Sequence, residues 1–277
     1  MNFTQLPTEQ RRSFDEDDFL VAPNALPAET VAYFSAITGV FTYFSLQLGD
    51  SVWRGKNVLD FGGSIGAILR DADSTIDEER YWCLDVNREA LERGKADYPK
   101  AHWIFYNRYC FGFNSRGIPN LSIPDLHQTF DYIIAFSVFT NNTVTDMLQL
   151  VSQLEGLLAP GGALAFTFID PFHFISPGQS VFQRRLERRL ERGNITAAEM
   201  KDLAGRAQGA KWFMLVNDSD LYIETEEIRH YEPDQKKSCY AYHTREYMKA
   251  LFPQAMILPP VNSMNNMRQH CCVIRKS

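Results

Sequence analysis

Positive charge is in short supply along this sequence of 277 residues: 28 Lys and Arg face 34 Asp and Glu, a net charge of −6. That balance offers no broad phosphate-binding surface and sets nucleic acid aside as a partner. Cysteine is scarce as well. Cys83, Cys110, Cys239, Cys271 and Cys272 show no C-x-x-C spacing and no His pair at zinc-ligand intervals, so no metal site is expected. Cys271 and Cys272 stand together in an apolar run and read as buried thiols rather than a vicinal disulfide. Long apolar runs are also missing. None reaches membrane-spanning length, and Met1 to Asp18 is polar and acidic, without the apolar stretch of a secretory signal. The expectation is a cytoplasmic chain with no membrane contact.

What remains is ordinary globular material, with 45% hydrophobic and 22% charged residues, enough for one large α/β domain or one domain with an insertion. Val31, Phe34, Ile37, Phe41, Phe44 and Leu48 recur every three or four positions and predict an amphipathic helix ending near Gly49. From Lys56 the pattern changes. Short apolar runs at 57–61, 81–86, 102–106, 130–136 and 163–169 alternate with helical stretches, the signature of a parallel sheet covered on both faces. Asn87 caps a helix over 88–98, and Thr143 with Asp146 opens another that runs to the stop at Pro160-Gly161-Gly162.

Between 171 and 237 the alternation gives way to two predicted helices. The first carries Phe182, Leu186 and Leu190, and the second is capped by Thr196 with Glu199. Arg184, Arg185, Arg188, Arg189 and Arg192 on the first helix read as a solvated face, since Glu187 and Glu191 interrupt them. The runs 255–258 and 270–274 predict a closing strand pair. The division expected is a helical extension (1–55), an α/β core (56–170), a helical insertion over the carboxyl edge of the sheet (171–237) and a return to the core sheet (238–277).

One turn carries chemistry. Val58-Leu59-Asp60-Phe61 runs into Gly62-Gly63-Ser64-Ile65-Gly66, where small residues let backbone approach a ligand closely. A dinucleotide fingerprint needs glycines as G-x-G-x-x-G, and this turn has Gly62, Ser64 and Gly66 behind the acid Asp60. Asp60 to Gly66 instead resembles the D-x-G-x-G-x-G motif of class I S-adenosylmethionine-dependent methyltransferases, with Ser64 in place of the middle glycine. The rest of that family's order follows it. An acid, Asp85, ends the second strand, Phe130-Asp131-Tyr132-Ile133-Ile134 opens the fourth, and Leu157-Leu158-Ala159-Pro160-Gly161-Gly162 precedes the fifth. Ser137-Val138-Phe139-Thr140-Asn141 is similar to the S-V-F-T-H run of one broad subgroup.

The resemblance implies a Rossmann-like sheet, mostly parallel with a C-terminal antiparallel pair. It also implies S-adenosylmethionine as cofactor, converted to S-adenosylhomocysteine. It places Asp60, Gly62, Gly63, Ser64 and Gly66 around the amino-acid part of the cofactor, Asp85 and Val86 at the ribose, Asn107 at the adenine, and Phe136 and Ser137 beside the sulfonium. Asp85 suits its role because a carboxylate accepts from two vicinal hydroxyls. Methyl transfer from a sulfonium needs alignment and exclusion of water rather than a covalent nucleophile. Where the acceptor must lose a proton, His173, just past the fifth strand, is the candidate base, with Asp170, Glu224, His230 and His243 as rivals. Phe139, Phe172, Trp212 and Tyr242 are candidate walls of an apolar acceptor pocket. The expected activity is methylation of oxygen or nitrogen on a small metabolite, natural product or peptide. A catalytically silent binding subunit on the same fold is the competing reading.

Overall fold

The computed structural model describes residues 39–110, 113–217, 220–225, 239–261 and 268–277. It begins with helix α1 (Val40–Leu48), stopped at Gly49, whose φ of 70° suits a residue without Cβ. Tyr43, Phe44 and Leu48 on α1 are buried, as the periodicity requires, while Val31, Phe34 and Ile37 lie outside the described residues.

The chain then alternates: β1 (Val58–Phe61), α2 (Ala67–Asp71), β2 (Tyr81–Asp85), α3 (Arg88–Asp97), β3 (His102–Phe105), β4 (Phe130–Ala135), α4 (Val144–Gly156) and β5 (Leu158–Phe168). Local chemistry starts these helices where the sequence marks them. Asn87 accepts from the amide of Ala90, and the Thr143 hydroxyl accepts from that of Asp146. Helix α4 stops at Gly156, before the Pro-Gly-Gly run, which is drawn into the start of β5.

Beyond β5 come the short strands β6 (Phe174–Ser176) and β7 (Gln179–Ser180), then α5 (Val181–Glu191) and α6 (Ala197–Ala207). Both sides of the Thr196–Glu199 capping box are made. The insertion is not purely helical. Strands β8 (Trp212–Val216), β9 (Asp220–Ile223) and β10 (Cys239–His243) form a separate antiparallel sheet in the order β10-β8-β9. The expectation of helices alone missed β8, whose Trp-Phe-Met-Leu-Val is a short unbroken apolar run and therefore a two-faced buried strand. The expected solvated arginine face is corrected too. Arg185 and Arg189, one turn apart and beside Phe182 and Leu186, are buried, and the Arg185 guanidinium lies 3.0 Å from the centre of the Tyr240 ring. Arg184 does face outward, to Glu187 and Glu191.

The chain ends with α7 (Arg245–Leu251), β11 (Met256–Leu258) and β12 (His270–Arg275). The main sheet has the order β11-β12-β5-β4-β1-β2-β3, parallel from β3 to β5 and antiparallel at β12 and β11. Its two faces are covered by separate apolar clusters. Phe139, Met147, Leu150, Phe166 and Phe252 pack on one, and Tyr43, Phe44, Trp53, Ile68 and Leu69 on the other. The order in which strands are added reverses between β1 and β4, the switch point at whose carboxyl edge open α/β sheets form a crevice. The small sheet docks at that same edge, where the His243 amide donates to the Ile169 carbonyl at 2.9 Å just past β5. Among the described residues no helix is long and apolar enough to cross a membrane.

Candidate functional site

The turn after β1 is built on close backbone approach. Gly62 and Gly66 both sit at φ 77°, and a Cβ on Gly62 would collide with Val138. Gly63 has an ordinary φ but no room, since a Cβ there would lie 2.5 Å from Oδ2 of Asp60. Ser64 stands at φ 53°, so the family's glycine at this place has a conformational reason, and serine holds the same left-handed backbone at a cost. The Ser64 hydroxyl is buried without a hydrogen-bond partner among the described residues.

Beneath the turn, Asp60 is 4% exposed and accepts from the Tyr81 hydroxyl at 2.7 Å. Burial pushes its carboxyl up to about 7, against the Tyr81 bond that lowers it, with Asp85 adding repulsion. Asp85, at the end of β2, accepts from the amide of Ser64 at 2.8 Å and from that of Asn87 at 2.7 Å, one bond on each oxygen. Burial raises its pKa while those amides pull it down. The Val86 amide lowers it as well. Val86 beside it is half-buried. The Asn107 side-chain oxygen accepts from Asn114 at 3.1 Å, which fixes the amide's orientation.

At the end of β4, Phe136 is half-buried, with its ring edge-on to Tyr43 and Phe44. Ser137 takes a left-handed φ of 57° and is held in a closed circuit. Its amide donates to Thr167 Oγ1 at 2.7 Å, that hydroxyl donates to Gln269 Oε1 at 2.5 Å, and Gln269 Nε2 donates back to Ser137 Oγ at 3.1 Å. The Ser137 carbonyl already accepts from Thr140 at 2.7 Å and Asn141 at 3.2 Å. Asn141, which stands in place of the subgroup's histidine, is thereby spent on the turn.

Past β5, Asp170 is buried, accepts from the Phe172 amide and pairs with Arg245 at 3.3 Å. His173 is half-buried and presents its ring edge-on to His270, centres 4.9 Å apart. The other candidates for a base fall elsewhere. Glu224 is exposed and accepts from the Lys211 amide, His243 is buried and pushed down to about 4 by burial, and His230 lies outside the described residues.

The expected acceptor walls are corrected in part. Phe139 is fully buried between Phe61 and Phe166, Tyr242 is packed against Phe182 and Phe213, and Trp212 is buried with Met214 and Val216. A ring enclosed by its own core offers no face to a ligand, which leaves half-buried Phe172 of the four. No metal-binding group of His, Cys, Asp or Glu occurs among the described residues.

Sequence reasoning missed Tyr81, Thr167, Gln269, His270 and Arg245. A signal existed for two of them. A final strand antiparallel to β5 starts at the carboxyl edge, so its head, Gln269 and His270, had to arrive beside the crevice.

The sequence family described as a methyltransferase domain matches residues 59–164, the stretch from β1 into β5. No curated protein matches the chain by sequence. Among solved structures, the pyocyanin biosynthetic protein PhzM superposes with a TM-score of 0.51 at 11% identity, over 95% of this chain and 62% of that one. An amino pentose methyltransferase of calicheamicin biosynthesis from Micromonospora echinaspora, CalS10, gives 0.49 at 15% identity, covering 92% of this chain and 99% of its own. The CcbJ methyltransferase from Streptomyces caelestis gives 0.49 at 10%, covering 94% and 96%. At 11% identity the likeness to PhzM is one of fold alone. The glycine turn, the strand-end acid and the strands from β1 into β5 lie in the stretch that is similar to a methyltransferase domain, residues 59–164, and the chain has a Rossmann-like fold.

Proposed function

We propose that the protein transfers the methyl group of S-adenosylmethionine to an oxygen or nitrogen of a small metabolite, natural product or peptide, in the cytoplasm. The observation that carries the reading is Asp85. Its buried carboxylate is held by amides of the glycine turn and of the residues that follow β2, at a strand end where an acid can accept from vicinal hydroxyls. The turn fits the rest of the cofactor, because the Gly62–Gly66 backbone runs without side chains at Gly62, Gly63 and Gly66. Five unpaired cysteines suit a reducing compartment.

When bound, S-adenosylmethionine supplies an electrophilic methyl group on a sulfonium. The chain's part is to bind and align. Asp60 accepts from Tyr81 beneath the turn, the Gln269–Thr167–Ser137 circuit fixes the backbone at the end of β4, and Asp85 would hold the sugar. His173 takes the proton of an acceptor that must lose one. Calorimetric titration with S-adenosylmethionine tests the reading: micromolar binding abolished by Asp85→Ala supports it. A wild-type chain that binds neither cofactor nor product is instead a binding subunit on an enzyme's fold.

A further inference from the structure

The turn that ends β4 is held in a shape that its own residue resists. Ser137 stands at φ 57°, a left-handed conformation that crowds the Cβ of any residue but glycine. Its neighbour Val138 closes on the glycine turn, because a Cβ on Gly62 would run into the Val138 Cγ2 methyl. Where Ser137 sits therefore sets how closely the end of β4 approaches Gly62, and these are two of the stretches expected to flank the cofactor. What holds Ser137 comes from far along the chain. Gln269, buried just ahead of β12, accepts from Thr167 Oγ1 and donates to Ser137 Oγ, while the buried Thr167 hydroxyl accepts from the Ser137 amide. The Gln269 carbonyl accepts in turn from the Tyr43 hydroxyl of α1 at 2.8 Å. Gln269 and Thr167 are out of water, so a bond lost between them has no solvent replacement.

We propose that Gln269 is a positioning residue for the cofactor: it keeps Ser137 left-handed and so holds the end of β4 in register with the glycine turn. This deepens the methyl-transfer reading above and rests on it. A hydroxyl has one proton to give, and Thr167 gives its own to Gln269, which leaves a lone pair aimed at the Ser137 amide. The remaining bonds of Ser137, to Thr140 and Asn141, lie inside the turn and move with it. Thr167 belongs to β5, and Gln269 directly precedes the strand paired with it, so these two tie the turn to the sheet itself. Without Gln269, Ser137 is free to relax to negative φ, and Val138 shifts relative to Gly62. Glycine at position 137 would need no such hold, since it takes positive φ without a steric penalty.

S-adenosylhomocysteine is the probe, titrated calorimetrically into the whole chain, with thermal unfolding measured alongside. Gln269→Met keeps the length of the side chain without its hydrogen bonds. It should weaken binding about tenfold, the cost of holding a residue with a Cβ left-handed read as an equilibrium constant. Adding Ser137→Gly to that variant should recover most of the affinity, while thermal stability stays below wild type because the buried Thr167 hydroxyl still lacks its acceptor. A glutamine that only packs the core gives no such rescue. A double variant that binds as weakly as Gln269→Met, or a Gln269→Met chain that binds as tightly as wild type, overturns the positioning role. If Gln269→Met does not fold, Thr167→Ser and Thr167→Val make the comparison at the other corner of the circuit: the serine should bind as wild type and the valine about tenfold more weakly, and equal affinities overturn the role. A wild-type chain that fails to bind S-adenosylhomocysteine sinks the methyl-transfer reading itself, whereas wild-type binding left untouched by these substitutions sinks the positioning role alone.

Discussion

Asp60 is where stability and function pull apart, and the size of the conflict can be worked out. Its carboxyl titrates near 3.8 in an unfolded chain and at about 7 in the fold, chiefly because burial disfavours the charge. Between those values the folded chain holds a proton that the unfolded chain has released. Asp60 therefore contributes stability that is complete below pH 3.8 and lost as the pH rises through about 7. At about 1.36 kcal/mol per pKa unit, the loss approaches about 4 kcal/mol above neutrality. Asp60→Asn keeps the shape and an acceptor for the Tyr81 hydroxyl but cannot ionise. The variant should match wild type near pH 4 and exceed it by up to about 4 kcal/mol at pH 8, measured by urea unfolding at a series of pH values.

Other groups titrate in the same window. Buried His243, held down at about 4, destabilises the fold as the pH falls below 6.5, the opposite slope, but it is common to both proteins and cancels in the difference. A stability difference that does not change with pH, or a variant weaker throughout, would refute the reasoning. The gain should carry a functional loss, because removing the charge beside the glycine turn weakens cofactor binding if the acid is kept for that purpose.

Two further outcomes follow from the same turn. Ser64→Gly relieves a left-handed φ of 53° and removes a buried unpartnered hydroxyl, so even after the added freedom of the unfolded chain it should stabilise by about 1 kcal/mol in thermal unfolding. Unchanged or lower stability would show that serine is not strained there. Gly63→Ala should cost about 1–3 kcal/mol and weaken cofactor affinity, since its Cβ would sit 2.5 Å from Asp60 Oδ2 and push the carboxylate off Tyr81. Wild-type affinity and stability in that variant would mean that the turn is looser than its geometry.

The α/β alternation, the caps at Asn87, Thr143 and Thr196, the closing strand pair and the glycine turn were legible in the residues, because each is a local event. A period of hydrophobicity, a hydroxyl three residues before an amide, or a Gly at positive φ is decided within a few positions. Tertiary structure alone decided which groups lost contact with water and which met across the sheet. No local pattern shows that Phe139, Trp212 and Tyr242 are spent on cores, that Arg185 lies on Tyr240, or that strand 212–216 leaves the main sheet for a small one. Nor does one show Gln269 reaching Ser137, 132 positions away, or His270 coming to rest against His173. Such pairings depend on strand order, and strand order is a property of how the whole apolar surface is buried at once.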